Sequence, residues 1–329
     1  MAQVSGTTDT LDIGSGGGVR EDLEDVIQDL FPADTYLLTN LETVTATNTF
    51  HEWLTDALAG ATANRQVEGD DASFATVVAA TRLGNYCQIS RKTFLISASL
   101  ESVKKAGRKS EIARQAMKQM RELKRDMEQA LIGNQASSAG GNTTARSSAG
   151  MESWIASTDN GGNGVRATST ASASTVGFSA GTVATPTDGT TTGAFTVATL
   201  VNGIQAAWAQ GGDPTVILAG STQKAAITAF TGIAQQTNEV HAAAAKVVQS
   251  VSVFISDYGT HKVVLSRYIR ASVVLGIDPD YWALAYLEGR RPQMETLAKT
   301  GDGEKRMIIT EYCLVARNPK ASFKVAACA

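Results

Sequence analysis

The chain has 329 residues, of which 43% are apolar and only 6% aromatic, and it carries a formal net charge of -3 at pH 7. That length allows one large domain or two modest ones, with a core built mainly from Ala, Val, Ile and Leu. The charge excludes a uniformly basic nucleic-acid binder, although not a local basic face.

Residues 1–18 are polar and glycine-rich and read as a flexible arm. They lack the charged start and apolar run of a secretory signal. No run of 18 apolar residues occurs anywhere, so no membrane-spanning helix is expected. Residues 20–31 place Leu23, Val26, Ile27 and Leu30 at helical spacing before Pro32. Residues 45–97 are extended in character. Phe50, Trp53, Leu54 and Leu58 lead to a polar stretch at Glu68, Gly69, Asp70 and Asp71. The chain then returns through Tyr86, Cys87, Ile89, Phe94, Leu95 and Ile96. This predicts a long β-hairpin with its tip near Gly69. Two arms of roughly 20 residues would reach about 60 Å at about 3.3 Å per residue. Such a ribbon buries little of itself and needs another surface, unless its strands join an ordinary sheet.

Residues 110–132 form the clearest element. Ser110 can cap a helix that Gly133 and Asn134 stop. Ile112, Ala116, Met120, Leu123, Met127 and Leu131 make its apolar stripe. At 1.5 Å per residue it is roughly 33 Å long. Between Glu101 and Glu128, nine basic residues face five acidic ones. Arg114, Lys118, Arg121, Lys124 and Arg125 belong to this set. Two readings stand: a solvated face with internal pairs such as Lys124 and Glu128, or a face toward nucleic acid or a neighbour's acids.

Residues 134–193 are rich in Ser, Thr, Gly and Ala and read as a linker or loose loop, with an anchored island at residues 145–155. Residues 196–208 are helical, with Val197, Leu200, Val201, Ile204 and Trp208 on one face. A short buried strand at residues 215–218 follows, then a helix capped by Ser221 and running to about Phe230. This alternation suggests a small α/β unit. Val251, Val253 and Ile255 alternate with Ser252, Phe254 and Ser256. Residues 257–260 turn the chain, and residues 262–269 return as a hairpin. A last strand at residues 305–315 is apolar on both faces and predicts a covered central strand. No fixed-period repeat is present.

The residues for chemistry are sparse. Cys87, Cys313 and Cys328 are odd in number and far apart, which argues against a disulfide framework or a cysteine zinc site and for a reducing compartment. His51, His241 and His261 form no metal-binding helix pair, and residues 14–18 lack the Lys-Ser/Thr of a phosphate loop. Residues 177–181 match G-x-S-x-G, with Ser179 as the would-be nucleophile, but no buried strand precedes them. Glu68, Asp70 and Asp71 do not have calcium-loop spacing. Asp278 and Asp280 flank Pro279 as a turn, and Tyr281, Trp282 and Tyr286 read as core. The expectation is no enzyme, no catalytic or metal residues, and no cofactor.

The motif runs, in order, are residues 52–56 (EWLTD), 88–93 (QISRKT), 107–111 (GRKSE), 122–128 (ELKRDME), 144–146 (TAR), 256–259 (SDYG), 297–302 (LAKTGD), and Glu311-Tyr312 through Asn318. Together they resemble the tailed-bacteriophage major capsid proteins of the Hong Kong 97 fold, an α+β fold. The resemblance covers most of residues 42–321.

It implies an N-terminal arm (1–44) and an E-loop hairpin (45–100) laid across a neighbour. It also implies a peripheral domain with a spine helix and a Ser/Thr/Gly-rich loop (101–195), an α/β axial domain (196–300), and a return strand with a tail (301–329). The implied function is self-assembly into hexamers and pentamers of an icosahedral head around double-stranded DNA. Assembly would occur in the host cytoplasm and end in the virion capsid. Trp53, Glu68, Gly69, Asp70, Arg82, Arg91 and Lys92 are the expected subunit-interface residues, and Arg114, Lys118, Arg121, Lys124 and Arg125 the DNA-facing or interface charges. A portal, a possible decoration protein and a separate scaffolding protein are expected partners, and no membrane. Only about 40 residues precede the hairpin, so no removed N-terminal domain is expected. The alternatives are an encapsulin-like nanocompartment shell and, from another class, a hydrolase using Ser179.

Overall fold

The computed structural model describes residues 34–155, 164–166, 178–179, 181–185, 193–230 and 252–328, apart from residues 57, 72, 73, 75 and 106. The expected arm at residues 1–18 and the helix at 20–31 lie outside the described residues, as does His241.

The chain builds two main sheets. The first is organised by β14 (Gly303–Ala316), which is buried from Ile308 to Ala316, as its two apolar faces require. On one side it pairs with β4 (Gln88–Ser97) through the full ladder from Gly303 opposite Ser97 to Tyr312 opposite Gln88. On the other side it carries β12 (Trp282–Leu287) and then β13 (Gln293–Leu297), both antiparallel. Strand β1 (Glu42–Ala46) adds to β12 in parallel. Strand β4 alternates, with Ile89, Arg91, Thr93 and Leu95 exposed and the residues between them turned inward.

Helix α3 (Glu111–Ile132) covers the inward face. Its expected limits hold: the Ser110 hydroxyl accepts the Ala113 N–H at 3.2 Å, and the Gly133 N–H closes on the Gln129 carbonyl at 2.9 Å. Leu123, Met127 and Leu131 pack with Ile308, Tyr312 and Leu314 of β14 in one cluster.

The second sheet has the order β5-β15-β11-β8-β10-β9, where β5 is Gly164–Arg166, β8 Val216–Ala219, β9 Val253–Ser256, β10 Gly259–Leu265, β11 Val274–Ile277 and β15 Phe323–Ala326. Helix α5 (Val197–Ala209) packs beside β15, and α6 (Ser221–Ala229) follows β8 and packs against it and its parallel partner β10. A second core cluster gathers Leu200, Ile204, Ile227, Phe254, Val274 and Phe323.

Several expectations are corrected. The long hairpin is short in its paired part: β2 (Phe50–Thr55) and β3 (Thr81–Tyr86) form a six-residue ladder. The return arm beyond Cys87 does not project. It joins β14, because its inward positions match an apolar neighbour within the chain. The pair Lys124–Glu128 is not formed, since Glu128 is buried against another helix. Trp208 is 59% exposed and meets the Tyr258 ring at a tilt, 5.7 Å between centroids, because the buried face of α5 is Leu200, Gly203, Ile204 and Ala207. On β9 it is Phe254 that turns inward, leaving Val253 and Ile255 exposed on this edge strand. Ser221 opens α6 without a side-chain cap. Residues 134–144 are not a loose linker throughout, since Ser138 bridges Ser147, while the expected anchored island at 145–155 is there, with Met151–Trp154 a fully buried turn of helix, α4. The last residues also gave no forewarning of β15, which leaves the first sheet's company and inserts between β5 and β11.

Candidate assembly surfaces

The projecting segment is the most unusual surface. Every described residue from Asp56 to Arg82 is exposed. Leu58 is 100% exposed, Phe74 96% and Val77 91%, with Val67 and Val78 little less. The Asp70 N–H closes a turn on the Val67 carbonyl at 3.1 Å, with Gly69 at φ 82°, so the reversal falls where Gly69 predicts it. Among the described residues these five large apolar side chains have no partner surface.

The root of the segment is fixed by contrast. Trp53 donates its indole N–H to the Ala316 carbonyl at 3.0 Å, and its ring lies 5.6 Å from that of Trp154. Its indole is thus committed inside the subunit. Asn85 is fully buried and donates to the Leu314 carbonyl at 2.7 Å, while its Oδ1 accepts the Ala149 N–H at 2.9 Å. Glu68, Gly69 and Asp70 stand at the exposed tip. Arg82 lies near Glu52 at 3.7 Å on the ribbon, and Arg91 is exposed on β4. Lys92 reaches inward to Asp126 of α3 at 2.7 Å, so it binds sheet to helix.

The basic residues of α3 are spread along its open side. Lys118 and Lys124 are exposed, as is Arg121. Lys118 lies 3.9 Å from Glu122, and Arg114 lies 3.4 Å from Glu111. Arg125 donates to the Tyr268 hydroxyl at 3.2 Å, which holds it against the second half of the chain. The structure therefore leaves Lys118, Arg121 and Lys124 exposed and Arg114 and Arg125 half-buried.

Sequence reasoning missed the buried charges. Glu128 accepts the Leu37 and Leu38 N–H groups at 2.8 and 3.0 Å, satisfying the start of the short helix α1 (Tyr36–Asn40). Burial raises its carboxyl above the usual range despite those bonds. Its signal was spacing: Leu131 and Ile132 follow at three and four residues, which places it on the apolar stripe. Glu152, at the start of α4, holds Arg270 through two bonds, and the Lys324 ammonium donates to its backbone carbonyl at 3.1 Å. Glu311 on β14 pairs with Arg146 and lies 3.6 Å from Arg290. Burial pushes the Tyr312 hydroxyl up to about 12. These groups pin loops to sheets.

The expected decoys remain bare. Ser179 is exposed on a two-residue strand, with Gly181 at φ 85° after it, while Gly177 and Ala180 lie outside the described residues. Among the described residues no three His, Cys, Asp or Glu side chains cluster for a metal. Among them, too, no helix is long and apolar enough to cross a membrane. Asp278 does form the expected turn: its Oδ1 accepts the Asp280 N–H at 3.3 Å.

Among the described residues an organised body carries a wholly exposed apolar projection, and the family comparison decides what it is. The family described as SU10 major capsid protein matches residues 3–329. The chain belongs to that family. It is a phage major capsid protein, a self-assembling subunit of an icosahedral shell, and its place is the virion capsid. Solved structures share its fold. The capsid protein of cyanophage A-1(L) aligns at a TM-score of 0.66 and 12% identity, covering 97% of this chain and 99% of that one. A chain of the phage G structure, which contains major capsid and decoration proteins, aligns at 0.53 and 13% identity, covering 100% of both. The SrpI encapsulin complex of Synechococcus elongatus aligns at 0.56 and 10% identity, covering 98% and 96%. No match emerges among curated protein sequences.

Proposed function

We propose that the capsid protein assembles as hexamers and pentamers in which residues 45–100 act as an E-loop, laid over an adjacent copy. The observation that carries this reading is the exposure of Leu58, Phe74 and Val77 on a segment whose root is rigidly held. Burying such surface stabilises by about 25 cal/mol per Å2 before association costs, and symmetry repeats the gain around each ring. Helix α3 then serves as the spine of a peripheral domain spanning residues 101–195, completed by the return strand within 301–329. Residues 196–300 form the axial domain at the capsomer centre. Trp53 and Lys92 position the loop from within, while Glu68, Gly69, Asp70, Arg82 and Arg91 face the neighbour. Lys118, Arg121 and Lys124, flanked by Arg114 and Arg125, give the inner surface non-specific phosphate contacts with packaged double-stranded DNA.

A separate scaffolding protein and a portal complete assembly in this reading, and the outer surface is open to a decoration protein of the kind solved with phage G. The test is deletion of residues 60–82, measured by circular dichroism and electron microscopy. The expected product is a folded subunit that yields no shells with its scaffold. Normal shells from this variant would remove the E-loop role.

A further inference from the structure

Cys87 is the single residue between β3 and β4, where the chain leaves the projecting ribbon and enters the first sheet. Its N–H donates to the Thr49 carbonyl at 2.8 Å. The β4–β14 ladder ends with Gln88 opposite Tyr312. One antiparallel step further brings Cys87 opposite Cys313, and Asn85 bonding to Leu314 shows that the chain continues along β14. Both cysteines are fully buried and belong to one small core cluster. Facing residues on antiparallel strands have Cα atoms about 4.5–5.5 Å apart, inside the range that a disulfide spans. Contact with the Cys313 side chain lowers the Cys87 thiol, and the nearby Arg146 charge adds to this, against burial and Glu311. The same contact, with burial, pushes the Cys313 thiol up. Cys87 is therefore the readier of the two to give up its proton.

We propose that Cys87 and Cys313 form a disulfide under a peroxide oxidant, stapling the root of the ribbon to β14. The Cys87 thiolate attacks a peroxide oxygen. The O–O bond breaks, and the leaving hydroxide takes a proton to become water. The sulfur is now a sulfenic acid. The Cys313 sulfur attacks it, the S–S bond forms, the S–O bond breaks, and a second water leaves with the Cys313 proton. The two sulfurs lose two electrons in total, and the peroxide is reduced to two waters. Both thiols are buried, so the reaction proceeds through openings of the ribbon root, and its rate follows them. Their wide separation in sequence hid the pair.

Full-length protein is treated with hydrogen peroxide, unfolded in denaturant, and its remaining thiols alkylated and mapped by mass spectrometry. The three cysteines of the untreated chain should fall to one alkylatable thiol, Cys328, with a peptide joining Cys87 to Cys313. A Cys328→Ser variant should fall from two thiols to none, and Cys313→Ser should give no linked peptide. Should Cys313→Ser fail to fold, the peptide map of the unaltered chain decides alone. Three thiols retained after treatment, a link to Cys328, or a link only between chains would overturn the proposal.

Discussion

Phe323 rests on two glycines, and the fit leaves no spare volume. A Cβ added to Gly276 would meet the ring at 1.9 Å, and one added to Gly203 would meet it at 2.4 Å. Gly276→Ala should therefore cost about 1–3 kcal/mol through overpacking, read from urea denaturation. Pairing it with Phe323→Leu should recover part of that loss; an unshifted midpoint for the single variant would mean that the ring can move aside. Glu128 tests a different force. Its folded-state carboxyl is raised by burial above the usual 4.5, so the folded chain holds this proton more tightly than the unfolded chain. That contribution is fully present below the usual value and is lost as pH rises through the raised one. The unaltered chain should lose stability relative to Glu128→Gln across that window. A constant difference between the two would show that Glu128 does not titrate there.

At the scale of elements, the projecting segment separates folding from association. Phe74→Asp and Val77→Asp replace side chains that touch solvent, so thermal stability should change by no more than about 0.5 kcal/mol. Shell yield, counted by sedimentation, should fall sharply. A matched loss of stability and yield would place these residues in the subunit's own fold. The sequence made helix α3 readable to the residue, because capping and stripe periodicity are local signals. Strands β8 and β14 were readable for the same reason, as continuous apolar runs. Strands β11 and β15 were not, since a four-residue strand owes its state to neighbours distant in sequence. The turn at Gly69 was legible, but the point where the hairpin stops being a hairpin was not. Gln88 and the residues after it carry the alternation of any half-buried strand, and nothing local says which partner they face. Among the candidate charges, Lys118 and Lys124 stand in the open as their spacing suggests. The partners of Lys92 and Arg125 come from the tertiary fold.

For the whole molecule, the proposed function turns the charged side of α3 toward whatever fills the shell. Reversing Arg114, Lys118, Arg121 and Arg125 together should reduce DNA retention in assembled particles, measured by nuclease sensitivity at increasing salt. Folding should suffer less, through lost contacts such as those with Tyr268, Glu111 and Glu122. Complete unfolding of this variant would instead mark the four residues as structural.

Among the described residues the chain crosses directly between the two sheets at β11 to β12 and at β14 to β15. Each crossing is a 3-10 turn begun by a side-chain acceptor before proline: Asp278 with Pro279, and Asn318 with Pro319. The Arg317 N–H donates to the Tyr281 carbonyl at 2.9 Å, and the Trp282 indole donates to the Ser322 hydroxyl at 2.8 Å, so the crossings lie side by side. A body strapped at two adjacent points cannot swivel as one pinned at a single point would. Force on either half is passed to the other through both stretches of backbone at once.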